Sequence, residues 1–390
     1  MMTQLNPSER ILMGPGPSNV HPRVLQAMAA PVLGHLDPEF LDYMEETKTL
    51  LRSLFQTNNK LTIPISGTGS AGMETCLVNL LEPGDHALIC VNGVFGTRMA
   101  DIVERCGAVL HKIEVPWGRT IEPQQVKEAL RTAAFKCVAI VHAETSTGAH
   151  QPLQEIGALT RAHGAMFVAD MVTSLGGVEV KVDEWGIDAA YSGTQKCLSC
   201  PPGLSPVTFS ERALEVVNVR KTKVQSWYLD LTMISQYWGN ERVYHHTAPI
   251  NMIYALREAL RLIEEEGLES RIARHRRNHE ALAAGLQALG LTMFAQAGHR
   301  LPMLNAVVIP DGIDDLKIRR ALLQQYGIEI GGGIGPVKGK IWRVGLMGHT
   351  STARNVILFL TALERILAAA NYTAGTGNAA AAAAEILAQV

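Results

Sequence analysis

The stretch "YSGTQKCLSC", residues 191–200, ends an apolar segment on a lysine, with Gly193, Thr194 and Gln195 leading in and Cys197-x-x-Cys200 following. Three chemistries suit Lys196: an ordinary solvated amine, a bystander to a redox or metal pair at Cys197 and Cys200, or a nucleophilic amine. A structural zinc site takes four ligands, and no second Cys or His pair stands at ligand spacing to complete one. Two small buried thiols beside the lysine are the simpler account of the cysteines. A second charge closes an apolar run in "MFVADMVTSLGG", at Asp170. Buried strands seldom carry an unpartnered carboxylate, so Asp170 either caps a neighbouring loop or serves a site.

The elements that must position these two groups are legible from periodicity. Between about residues 60 and 210, short apolar segments alternate with helical patterns. The strand candidates are "LTIPIS" (61–66), "HALICVN" (86–92), "AVLHKIEV" (108–115), "CVAIVHAE" (137–144), "AMFVADMV" (165–172), "AAYSG" (189–193) and "SPVTFS" (205–210). The intervening segments space apolar residues by three and four, as helices do. This alternation predicts an α/β fold with a mostly parallel sheet and helices on both faces. Ligands of such sheets gather at the carboxyl ends of the strands, where Asp170 and Lys196 share an edge. An amine nucleophile beside an anchored carboxylate suits pyridoxal phosphate, which needs a lysine for its aldehyde and an acid for its ring nitrogen. "SGTGSAGMETCLVNLL" supplies a matching cradle: a Gly/Ser turn before a helix start, with hydroxyls at Thr68 and Ser70. Helix N-termini favour anions, although such turns also occur without a phosphate.

Taken in order, these motifs resemble the class V, fold-type I pyridoxal-phosphate aminotransferases, in the alanine–glyoxylate/serine–pyruvate branch. The resemblance rests on "LMGPGPSN" (12–19), "SGTGSAGMET" (66–75), "LVNLLEPGD" (77–85), "NGVFGTR" (92–98), "HAETSTG" (142–148), "VADMVTSLGG" (168–177), "YSGTQKCL" (191–198), "WYLDL" (227–231), "YHHTAP" (244–249) and "WRVGLMG" (342–348). It covers residues 11 to 367. It implies that Lys196 carries the cofactor, Asp170 faces the ring nitrogen, and Val172 and Phe95 flank the ring. It further implies phosphate contacts from Thr68, Gly69, Ser70 and Gln195, and places Thr145 near the ring hydroxyl. Tyr244 and Thr247 would reach the phosphate of the partner in a homodimer with shared active sites. Arg343 would grip the substrate carboxylate with its planar fork. Gly16, in the arm near the site's mouth, is a further substrate-contact candidate. Phe95 and Ser70 stand where animal members of the family carry tryptophan and histidine. Stacking and backbone phosphate binding survive both changes.

The implied reaction is transfer of an amino group from alanine or serine to glyoxylate or pyruvate. The alternatives are ureidoglycine–glyoxylate and 3-hydroxykynurenine transaminases on the same scaffold, with "VPWGRTIEPQQV" and the extended tail akin to the ureidoglycine members. A desulfurase would need a mobile catalytic cysteine in an equivalent loop, and none is recognisable. From a different class stands a non-catalytic homodimeric scaffold, which would leave Lys196 and Asp170 dispensable.

The resemblance also implies an organisation: an N-terminal arm (1–20), a large domain with a seven-stranded sheet (21–255), a smaller α+β domain (256–370) and an Ala-rich tail (371–390). The tail reads as a short helix or a frayed end. "EFLDYMEETKTLLRSLFQ" predicts an amphipathic helix with Phe40, Met44, Leu51 and Leu54 on its stripe. Residues 254–290 read as one long helix whose basic stretch "RIARHRRNH" forms a solvated face. "GGGIG" (331–335) reads as a flexible turn, and His245 and His246 as packing residues that point to opposite faces. The 390 residues are 47% hydrophobic and 18% charged, with a net charge of −2, which argues against a nucleic-acid or anionic-membrane partner. No apolar run is long enough to span a bilayer, and no signal peptide is recognisable. Six scattered cysteines read as reduced thiols of a cytoplasmic protein.

Overall fold

The computed structural model describes residues 5–373, 375 and 377–389. Its main sheet has seven strands: β1 (Leu61–Ser66), β2 (His86–Val91), β3 (Val109–Glu114), β4 (Cys137–Val141), β5 (Met166–Asp170), β6 (Ala189–Tyr191) and β7 (Leu204–Phe209). Their spatial order is β1-β7-β6-β5-β4-β2-β3. All neighbours run parallel except β7, which lies antiparallel to both β1 and β6. β4, β5, β6 and β7 are buried along their whole length. That burial on both faces explains the unbroken apolar runs of a sheet covered by helices.

Three helices matter for the site. α1 (Pro38–Phe55) starts on Asp37, whose carboxylate accepts the Glu39 N–H, and stops at Gln56 in the left-handed region. Its stripe of Phe40, Met44, Leu51 and Leu54 is buried in the main core, each side chain contributing about 1.5–3 kcal/mol by leaving water. α2 (Gly69–Leu80) and α3 (Val94–Arg105) each begin directly beyond a strand's carboxyl end, after β1 and β2.

A second sheet orders β8 (Leu304–Val308), β10 (Ile341–Gly345) and β9 (Gly331–Gly332) antiparallel, with β10 central. It has its own apolar core, separate from that of the main sheet. The N-terminal arm ties the two together. Ile11–Leu12 pairs in parallel with Ile328–Glu329, Gly345 N–H donates to Met13 O at 2.7 Å, and Ser18 N–H donates to Gln195 O at 2.9 Å.

The region 254–290 departs from a single helix. It forms α4 (Ile250–Glu266) and α5 (Leu268–Ala288), broken at Gly267, whose φ of 82° lies where only glycine is at ease. The basic stretch on α5 is not a solvated face throughout: Arg271, His275 and Asn278 are buried. Arg271 donates to Gly176 O, Cys197 O and the Glu266 carboxylate, so its charge serves as an internal strut. The first two glycines of "GGGIG" form β9 against β10. A two-residue strand without side chains leaves no periodic signal. The tail forms α7 (Ala379–Ala388) after α6 (Ala353–Ala369), with Ala379 and Ala383 buried.

Candidate active site

β5 and β6 are parallel neighbours, with Asp170 opposite Tyr191. The chain beyond β6 reaches Lys196 after five residues, at the same edge as Asp170. Lys196 is only 9% exposed and its Nζ donates to Pro15 O of the arm. Gly16 must be glycine there: its φ is 105°, and a Cβ would sit 2.7 Å from Nζ. Burial, reinforced by the charge of Arg343, pushes the amine down from 10.5 to about 8. Asp170 is buried, its Oδ1 accepting Val172 N–H at 2.9 Å and its Oδ2 accepting Tyr191 O–H at 2.8 Å. Burial nevertheless carries its carboxyl up to about 7, against the pull of those two hydrogen bonds. The charges of Lys196 and Asp170 each act on the other's proton affinity.

The turn between β1 and α2 lies beside them. Thr68 is the extended N-cap of α2 and makes no side-chain cap bond. Gly69 packs where a Cβ would come 3.1 Å from Val172 Cγ2 and 3.6 Å from Gly193 Cα, which ties the cradle to the segments after β5 and β6. Ser70 Oγ accepts from Arg98 Nη1 at 3.3 Å, and Arg98 lies over the Phe95 ring at 5.2 Å. Gln195 Oε1 is buried without a partner. From the second sheet, Arg343 on β10 donates Nε to Gly332 O at 2.8 Å and Nη1 to Thr145 O at 3.3 Å. Lys196, Asp170, Thr68, Gly69, Ser70, Val172, Gln195, Phe95, Thr145, Arg343 and Gly16 are thus gathered around one edge. Tyr244 and Thr247 are not: both are exposed, and Tyr244 is 58% accessible. Their loop still approaches the cradle, because His246 Nε2 meets Ser66 Oγ at 2.7 Å. The two adjacent histidines do not diverge; their Nδ1 atoms are 2.8 Å apart in an irregular loop.

The class V aminotransferase family model matches residues 11–354. The chain belongs to this family. It is 44% identical to (S)-ureidoglycine–glyoxylate transaminase of Bacillus subtilis (strain 168), over 97% of this chain and 95% of that one. It is 41% identical to alanine–glyoxylate aminotransferase of Drosophila melanogaster, over 92% of each. A solved alanine–glyoxylate aminotransferase from Nostoc sp. superposes with a TM-score of 0.93 at 51% identity, covering 94% of this chain and 97% of that one.

This class V aminotransferase is therefore a transaminase of the fold-type I architecture. Its site also holds groups that sequence reasoning passed over. Glu144, in "HAETSTG", is a fully buried carboxylate that accepts Phe95 N–H and Ser146 N–H. Its signal was the one that marked Asp170, an acid closing an apolar run. Tyr191, Ser18 and Pro15 had no such signal, since only the folded chain brings them to Asp170 and Lys196. Cys197 and Cys200 are buried free thiols. Burial pushes Cys197 up to about 12 and Cys200 upward as well, which favours the protonated thiol in both at neutral pH. Among the described residues no group of three His, Cys, Asp or Glu side chains is placed to hold a metal, and no helix is long and apolar enough to cross a membrane.

Proposed function

We propose that this aminotransferase moves the amino group of alanine or serine to glyoxylate or pyruvate, with pyridoxal 5'-phosphate held on Lys196. The observation that carries this reading is the pairing of a desolvated amine with a buried, doubly hydrogen-bonded carboxylate on one sheet edge. The residues present fit the cofactor. The uncapped start of α2 and the unpartnered Gln195 amide suit a phosphate, the amide offering its NH₂ once turned. Thr68, Gly69, Ser70 and Gln195 would hold that phosphate, Phe95 and Val172 the ring faces, and Thr145 the ring hydroxyl. Bound there, the cofactor supplies an aldehyde for the incoming amine and an electron-withdrawing ring.

The protein supplies the rest. An amine lowered to about 8 is neutral in a far larger fraction of molecules near physiological pH than an ordinary lysine, so Lys196 Nζ can take the donor's Cα proton and return it elsewhere. Such a relay contributes about 10²–10⁴-fold. Asp170, raised to about 7, can share a proton with the ring nitrogen, and Val172 N–H and Tyr191 O–H fix its orientation. Two of Arg343's donors are spent on Gly332 O and Thr145 O, which aims the remainder at a substrate carboxylate. Small donors are favoured because Pro15 and Gly16 lie against Lys196 and β9.

The exposed Trp227, Tyr228, Val243 and Tyr244 support a homodimer in which Tyr244 and Thr247 complete the partner's phosphate site. The two apolar cores support a large domain, extended through α4, and a smaller C-terminal one. The buried, unpaired thiols support a reducing, cytoplasmic setting. A second reading, ureidoglycine–glyoxylate transamination, is favoured by the longer match to the Bacillus subtilis relative.

The test is spectroscopic. Purified protein with added pyridoxal phosphate should show a visible band that Lys196→Ala abolishes; absence of the band in the unmodified protein refutes the proposal. Mixing the yellow protein with alanine, serine, glycine and ureidoglycine, one at a time, then separates the two readings by which donor discharges the band.

A further inference from the structure

α3, the helix that carries Phe95, has no cap of its own. Its N-cap is Gly93, which has no side chain to offer the first-turn N–H groups. Those donors are met instead from the segment after β4. Glu144 Oε2 accepts Phe95 N–H at 3.1 Å, and Ser146 Oγ accepts Val94 N–H at 3.1 Å. The two acceptors are locked together, because Ser146 donates both its N–H (2.9 Å) and its Oγ–H (2.6 Å) to Glu144 Oε1. Gly93 is the residue that admits this arrangement. A Cβ there would lie 2.4 Å from Glu144 Cδ and 2.5 Å from Ser146 Oγ.

Taking the reading of the site proposed above as its basis, we propose that Glu144 is a positioning residue, whose buried carboxylate caps α3 from another segment and so fixes the Phe95 ring over the cofactor site beside Asp170 and Lys196. A carboxylate suits the task because it is acceptor-only and meets several N–H and O–H donors at once. It also complements the positive end of the helix. Burial raises its pKa from the ordinary value, and those donors oppose the rise. A merely structural cap would stabilise the fold without regard to the ring. Glu144 is distinguished by bonding the backbone of the ring-bearing residue itself.

The test is a double-mutant cycle read on cofactor affinity rather than turnover. Glu144→Gln keeps the shape but turns an NH₂ group toward one of the donors. It should weaken pyridoxal phosphate binding about tenfold, the size expected for directly coupled groups. It should also reduce the visible circular dichroism per unit of absorbance, which reports how the ring is held. In a Phe95→Ala background the same substitution should change affinity less than about twofold. Equal penalties in the two backgrounds, or no penalty in either, would overturn the inference. Gly93→Ala serves as a second variant, since it displaces the carboxylate without removing its charge. Its extended backbone, with φ of 175°, accommodates alanine. It should reproduce the Glu144→Gln pattern, and unchanged affinity in Gly93→Ala would also overturn the inference. An unmodified protein that forms no band removes the functional reading and this inference with it. A normal band combined with additive penalties removes this inference alone.

Discussion

Lys196 should be held at a cost to stability, and Lys196→Met should reveal it. An amine lowered from its ordinary 10.5 to about 8 costs about 3 kcal/mol more to keep protonated in the folded chain than in the unfolded one. The largest cause is burial and the next is Arg343, so the attraction of Asp170 does not reverse the sign. The folded chain binds this proton less tightly than the unfolded chain. The penalty is therefore complete below about pH 8, shrinks as pH rises, and vanishes once the unfolded amine also loses its proton near 10.5. Methionine removes the charge while filling similar space, but it forfeits the hydrogen bond to Pro15 O, worth about 0.5–1.5 kcal/mol. The net gain for the cofactor-free variant is about 2 kcal/mol at pH 6–7. With 390 residues and about 2.1 cal/mol/K of unfolding entropy per residue, that gain raises the melting midpoint by about 2–3 °C. Differential scanning fluorimetry of both cofactor-free proteins from pH 6 to 11 gives the comparison. Equal or lower midpoints for the variant at pH 6–7, or a gain that persists undiminished at pH 11, would refute the desolvated-amine account.

The other expectations follow from the same geometry. Arg343→Lys loses the fork onto the substrate carboxylate, so KM for carboxylate donors should rise about tenfold or more; steady-state kinetics with an unchanged KM would place Arg343 outside the substrate site. Asp170→Ala should cut kcat by about 10²–10³ and loosen the cofactor, and retention of most turnover would contradict its role at the ring nitrogen. Co-refolding Lys196→Ala with Tyr244→Ala, each inactive alone, should restore transamination, because mixed dimers then hold one intact site; a mixture as inactive as its components would show that Tyr244 does not act across subunits.

Much of this molecule was legible because the cues are local. Buried parallel strands read as apolar runs, and the observed bounds of β1, Leu61–Ser66, coincide with the run that predicted them. A charge ending such a run marked Asp170, and the Gly/Ser turn marked the start of α2. Gly267 shows where local reasoning slipped. Apolar spacing continues across it from α4 to α5, yet its φ of 82° turns the chain. Arg271 shows the same limit, since it lies in a charged stretch of sequence while two of its partners in space are the carbonyls of Gly176 and Cys197.

The sequence alone, then, determined the candidate groups for the chemistry, their order along the chain, and the α/β frame that sets strand ends on one edge. Tertiary structure decided what those groups experience. The lowered proton affinity of Lys196 and the raised one of Asp170 come from burial by distant segments, and the capping of α3 by Glu144 joins residues some fifty positions apart. Desolvation and long-range hydrogen bonding depend on which atoms exclude water from which, and no local pattern of residue types encodes that.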